Sequence, residues 1–140
     1  MIAIDSSVIV AALLGWHEHH QAAARALERA LGSGSGVVIP SHSLIESYAV
    51  MTRLPAPHRL TPVDALQLLQ DNFRTLRLAS LNSRSVWAVV QRLAAVSLGG
   101  GITYDAIILE AASDAGATEL LTLNERDYLR LEPTVRIVGV

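Results

Sequence analysis

Short apolar strands alternating with longer amphipathic helices predict an α/β fold, a three-layer α/β/α sandwich around a central parallel sheet of four to five short strands. Three observations carry this prediction. Apolar runs of three or four residues recur at Ile2–Ile4, Val37–Ile39 and Leu120–Thr122, most of them followed at once by a helix-start signal. The stretches between them carry Ala, Leu and Val at helical spacing. The 140 residues are 51% hydrophobic but only 4% aromatic, so residues 1–140 read as a single domain whose core is built from Ala, Leu, Val and Ile.

Ile2–Ile4 forms the first strand, and Asp5 or Ser6 caps a helix over Ser7–Leu14 that Gly15 ends. A second helix spans His19–Leu31, with Ala23, Leu27, Ala30 and Leu31 on one face, before the flexible loop Gly32-Ser33-Gly34-Ser35-Gly36. Val37–Ile39 is the second strand. Pro40-Ser41 breaks it and caps a helix from about Ser43 to Arg53, which ends before Pro55-Ala56-Pro57. Thr61-Pro62 combines an N-cap with a proline at the first helical position, which starts a helix running to about Asn72. A weaker third strand centres on Leu76–Ala79. Asn82 or Ser83 caps the helix carrying Val86, Val89, Val90, Leu93 and Val96, and Gly99-Gly100-Gly101 is a loop. Tyr104–Ala115 is a helix closed by Gly116, Leu120–Thr122 the fourth strand, Glu125–Leu131 a short helix and Val135–Val138 the last strand.

Composition excludes several chemistries. There is no Cys, hence no disulfide, thiolate nucleophile or cysteine-type zinc site. All 11 basic residues are Arg; without Lys there is no Schiff base and no P-loop lysine. No apolar run approaches the about 20 residues of a membrane span, and the chain opens directly into a strand rather than a signal peptide, so a cytoplasmic protein without a membrane partner is expected. The formal charge of −2 counts against a nucleic-acid binder, although Arg suits bidentate phosphate contacts.

Against this background three acids stand where acids are hard to place. Asp5 ends the first strand, Glu46 lies in Leu44-Ile45-Glu46-Ser47-Tyr48, and Asp105 in Tyr104-Asp105-Ala106-Ile107-Ile108. Carboxylates among core residues are paired or metal-bound, and crowded ones raise one another's pKa unless a cation holds them ionised. In an open α/β sheet the site lies beyond the carboxyl ends of the strands. Asp5, Glu46, Asp105, Thr122, Asn124 and Asp127 converge on that edge.

The run Ile4-Asp5-Ser6-Ser7, Ser43-Leu44-Ile45-Glu46, Tyr104-Asp105-Ala106-Ile107-Ile108 and Leu121-Thr122-Leu123-Asn124-Glu125-Arg126-Asp127-Tyr128 resembles the PIN domain, and within it the VapC-type toxins of bacterial toxin–antitoxin pairs. The match covers nearly the whole chain. It implies a Mg²⁺- or Mn²⁺-dependent endoribonuclease, usually a homodimer, that cleaves RNA to a 5′-phosphate and a 3′-hydroxyl and is held inactive by a VapB-type antitoxin. By motif position Asp5, Glu46 and Asp105 match the three core acids of the catalytic metal site and Asp127 the more variable fourth. Ser6, Thr122 and Asn124 match supporting polar positions. One departure is Ser7, where the family often has Asn; it concerns a supporting hydrogen bond rather than the metal site.

Each element also has a plainer reading. Asp5 suits an N-cap, Asp105 a first-turn acid favoured by the helix dipole, and Thr122 and Asn124 a cap for the last helix. The rival as a whole is a catalytically silent module of the same fold that binds RNA or a protein. His17, His19 and His20 read as solvated surface, Trp16 and Trp87 as core or interface residues, and Arg53, Arg84 and Arg92 as candidate phosphate contacts. Crowding predicts that Asn at position 5 or 105 leaves the metal-free fold as stable as before or slightly more so.

Overall fold

The computed structural model describes residues 1–140. In chain order the elements are β1 (Ile2–Ile4), α1 (Ser6–Leu13), α2 (His20–Gly32), β2 (Val37–Pro40), α3 (Ser41–Arg53) and α4 (Pro62–Phe73). They continue with β3 (Arg77–Ala79), α5 (Ser83–Ala95), α6 (Ile102–Asp114), β4 (Glu119–Thr122), α7 (Glu125–Leu129) and β5 (Arg136–Gly139). The five strands pair in parallel in the order β3-β2-β1-β4-β5.

Strand alternation divides the interior in two. Ile4, Ile39 and Leu121 point to a core shared with α1 to α4, whereas Ala3, Val38 and Leu120 point to a second core with α5, α6 and α7. The helices therefore cover both faces, as continuous apolar strands require. Ile4 and Ile39 are fully buried, so each contributes about 1.5–3 kcal/mol through burial. Truncating either to Ala costs about 2–5 kcal/mol.

The expected caps are largely in place. The Thr61 side chain accepts from the Asp64 amide, and Asn82 from that of Ser85. Gly116 closes α6 at φ +81°, a conformation glycine adopts without penalty. Two helices begin earlier than their sequence suggests. α3 starts at Ser41 because Pro40, at φ −55°, turns the chain straight from strand into helix. α6 starts at Ile102, since Gly101 is already in a helical conformation and no side chain caps it.

The topology positions the site. From β1 the chain moves outward to β2 and β3, then crosses back to lay β4 on the other side of β1. The carboxyl ends of β1 and β4 thus flank the point where strand order reverses, where open α/β sheets bind their ligands.

Candidate active site

Asp5 leaves β1 in an extended conformation (φ −76°, ψ 155°) and caps α1, as its place after a strand requires. Capping is only part of its role. Its Oδ1 accepts from the Ser6 amide at 2.8 Å and from the Tyr128 hydroxyl at 2.9 Å. Its Oδ2 accepts from Ser7 Oγ at 2.5 Å and Thr122 Oγ1 at 2.8 Å. These donors fix the orientation of a side chain that is only 3% exposed.

The donors carry the network outward. Ser6 Oγ donates to Glu46 Oε2 at 2.8 Å, tying the second turn of α3 to the end of β1. Thr122 Oγ1 accepts from the Asn124 amide at 2.9 Å, and Ser7 Oγ from the Leu123 amide at 3.0 Å. Asn124 is exposed, and the contact it makes here is through its backbone; its side chain does not cap α7. Ser7 supplies the supporting hydrogen bond that its departure from the family pattern had left open.

Asp105 is in a different situation. It sits in the first turn of α6, where the dipole favours a charge, yet its carboxyl is pushed up from the usual 3.8 to about 7. Burial is the largest cause, followed by the charges of Asp5, Asp127 and Glu46. One group thus feels the other three acids together. As placed, no three His, Asp or Glu side chains converge closely enough to ligate one ion. Bare carboxylates repel, and a cation among them would draw them in. Four carboxylates without a thiolate are a hard-oxygen donor set, which suits Mg²⁺ or Mn²⁺. Asp127 is half-exposed, with Arg130 Nη1 at 3.6 Å.

Tyr128 is the main residue the sequence reading did not single out. It is fully buried, and burial together with the Asp5 charge raises its hydroxyl well above the usual phenol range. It stays a neutral donor to Asp5. The only signal was its place next to Asp127.

The other candidates fall elsewhere. Arg53, seven residues beyond Glu46 on α3, lies about 10 Å along the helix. Arg92 pairs with Glu110 at 3.1 Å. Arg84 adjoins Ser85, which bonds Asp114 at the far end of α6 from Asp105. Arg126 adjoins Asp127 on α7, and Arg130, just past the end of that helix, lies 3.6 Å from the Asp127 carboxylate. Trp16 and Trp87 are 48% and 67% exposed, so neither is a core residue. Trp16 stacks on His58 at 4.0 Å, and His17 lies near His19, which is exposed as expected.

A parallel sheet with an acid network at its switch point defines an α/β domain with its ligand site beyond the carboxyl ends of the strands. The model of the PIN domain matches residues 2–132. The chain belongs to the PIN-domain family. It is 43% identical over 141 aligned residues to Ribonuclease VapC40 of Mycobacterium tuberculosis, covering 99% of each chain. It is 35% identical over 125 residues to Ribonuclease VapC27 of the same organism, covering 89% of this chain and 85% of that one. The fold is similar to that of a chain in the crystal structure of VapBC2 from Rickettsia felis bound to a DNA fragment from their promoter. The TM-score is 0.71 at 18% identity, covering 100% of this chain and 99% of that one. No helix is long and apolar enough to cross a membrane.

Proposed function

We propose that the chain is a metal-dependent endoribonuclease, acting as a single domain over residues 1–140 and serving as the toxin of a toxin–antitoxin pair. The observation that carries this reading is the hydrogen-bonded network at the sheet's switch point, where Ser6 joins Asp5 to Glu46 and Thr122 and Tyr128 close on Asp5, with Asp105 in the same field. Full-length identity to ribonucleases supports the reaction class.

Asp5, Glu46, Asp105 and Asp127 would hold Mg²⁺ or Mn²⁺, which when bound supplies charge relief at phosphorus and lowers the pKa of water. The chain's own residues do the rest. Asp5 is the fixed point, held by Ser6, Ser7, Thr122 and Tyr128. Ser6 steers the Glu46 carboxylate, which orients the attacking water. Asp105, whose carboxyl is raised by burial and by its acidic neighbours, would give up its proton to ligate the ion. The water oxygen bonds to phosphorus, the bond to the 3′ oxygen breaks, and that oxygen takes a proton, leaving a 5′-phosphate and a 3′-hydroxyl.

The reading places the protein in the cytoplasm with its RNA. Between α3 and α4 runs an apolar groove of about 460 Å³, lined by Leu44, Ile45, Tyr48, Leu66, Leu69 and Phe73, which suits an amphipathic helix of a VapB-type antitoxin. The similarity to a chain of VapBC2 supports that partner. Exposed Val63, Leu66 and Trp87 add apolar surface for a homodimer. The test is cleavage of single-stranded RNA. Activity should vanish on chelation and return with Mg²⁺ or Mn²⁺; cleavage that survives exhaustive chelation overturns the metal site.

A further inference from the structure

We propose that His42 and Tyr104 form a stacking platform for an unpaired base of the RNA, beside the acidic site. The inference rests on the ribonuclease reading and adds how the substrate is gripped. The two rings come from different helices, yet their planes agree within 2° and their centroids lie 5.3 Å apart, an offset parallel stack. His42 is one helical turn before Glu46 on α3, hence on the same face, and its stacking partner Tyr104 stands in the first turn of α6. Tyr104 is 52% exposed, so the stack can take a further layer.

Charge gives such a grip a use, since beyond Arg126 and Arg130, the latter drawn to Asp127 at 3.6 Å, few cations stand near the acids. The chain has a net charge of −2 and no Lys, and its site concentrates four carboxylates against a polyanion. Of the three Arg residues expected to meet phosphate, Arg92 is paired with Glu110, and Arg53 and Arg84 lie away from the acids. Stacking on an aromatic face needs no positive charge and tolerates any base. Polar groups for a base edge are also at hand. His42 lines a cleft of about 290 Å³ whose walls include Thr103, Ile45 and Ile107 and the hydrogen-bonded hydroxyls of Ser41 and Ser80.

The test uses the full chain and a single-stranded RNA 12-mer carrying one 2-aminopurine, with Ca²⁺ in place of Mg²⁺. Stacking quenches the fluorescence of this base. Wild-type protein should quench it on binding, and Y104F, which keeps the ring, should do the same. Y104A should lose the quenching and bind roughly tenfold more weakly, with H42A between the two. In cleavage with Mg²⁺, Y104A should raise KM by a similar factor with little change in kcat. Unfolding curves establish that each variant is folded. Quenching and affinity unchanged in Y104A would overturn the platform, as would a wild-type protein that gives no quenching. A wild-type protein that cleaves no RNA with Mg²⁺ or Mn²⁺ fells the ribonuclease reading instead, and the quenching series then judges base binding separately.

Discussion

Replacing Asp105 with Asn should stabilise the metal-free protein at neutral pH and flatten its pH dependence. The folded carboxyl has a pKa of about 7 against 3.8 ordinarily, so folding favours its protonated form. Below about pH 3.8 the group is protonated in both states and its ionisation costs the fold nothing. As pH rises toward 7 the unfolded chain releases the proton while the folded chain keeps it, and stability falls until the folded group also ionises. Three pKa units correspond to about 4 kcal/mol, but the side chain is only partly buried, and solvent screening reduces this to roughly 2 kcal/mol. Urea unfolding in EDTA at pH 5 and pH 8 reads the difference. Wild type should lose somewhat more than 1 kcal/mol relative to D105N between the two, because part of the decline is complete by pH 5. Mg²⁺ at pH 8 should then stabilise wild type more than D105N. Equal pH slopes in the two proteins, or a variant less stable than wild type at pH 8, would refute the crowding argument.

Asp5→Asn should behave in the opposite way, since one amide donor must face the Ser6 N–H or a hydroxyl; a loss of about 1–3 kcal/mol in chemical denaturation is expected, and unchanged stability would contradict the network. Tyr128→Phe removes a buried donor to a charged group and should cost about 1.5–3 kcal/mol while reducing cleavage, measured by thermal unfolding and initial rates. Trp87→Glu places a charge on an exposed apolar face and should shift a dimer to monomer in sedimentation velocity without loss of secondary structure; a dimer unaffected by it lies elsewhere.

Much of this molecule could be read from local sequence because the decisive signals are local. Apolar triplets before Asp5 and Ser41, the Thr61-Pro62 start and the Gly116 stop each act within a few residues. The starts of α3 and α6 escaped because Pro40 and Gly101 make no side-chain cap, so the chain carries no residue to mark them. The acids were legible as buried charges, but their difference was not. Asp5 and Asp105 look alike in sequence, and the crowding argument treats them as equals. Asp5 is held by Thr122 and Tyr128, more than a hundred residues away, and that proximity exists only because β4 lies against β1. The same holds for Arg92, whose partner Glu110 becomes a neighbour only when α5 packs on α6.

The network around Asp5 also bridges the single pairing that joins one half of the sheet, β3-β2-β1, to the other, β4-β5. Three of its members are backbone amides, those of Ser6, Leu123 and Asn124, which donate to the side chains of Asp5, Ser7 and Thr122. Their protons can exchange with solvent only when these side chains let go. Of the three, only the Leu123 amide donates across the pairing, to Ser7, so its deuterium uptake times how often the two halves of the sheet come unclasped, with no substrate present. Any partner that tightens or loosens the acid site will change that clock before it changes a rate of cleavage.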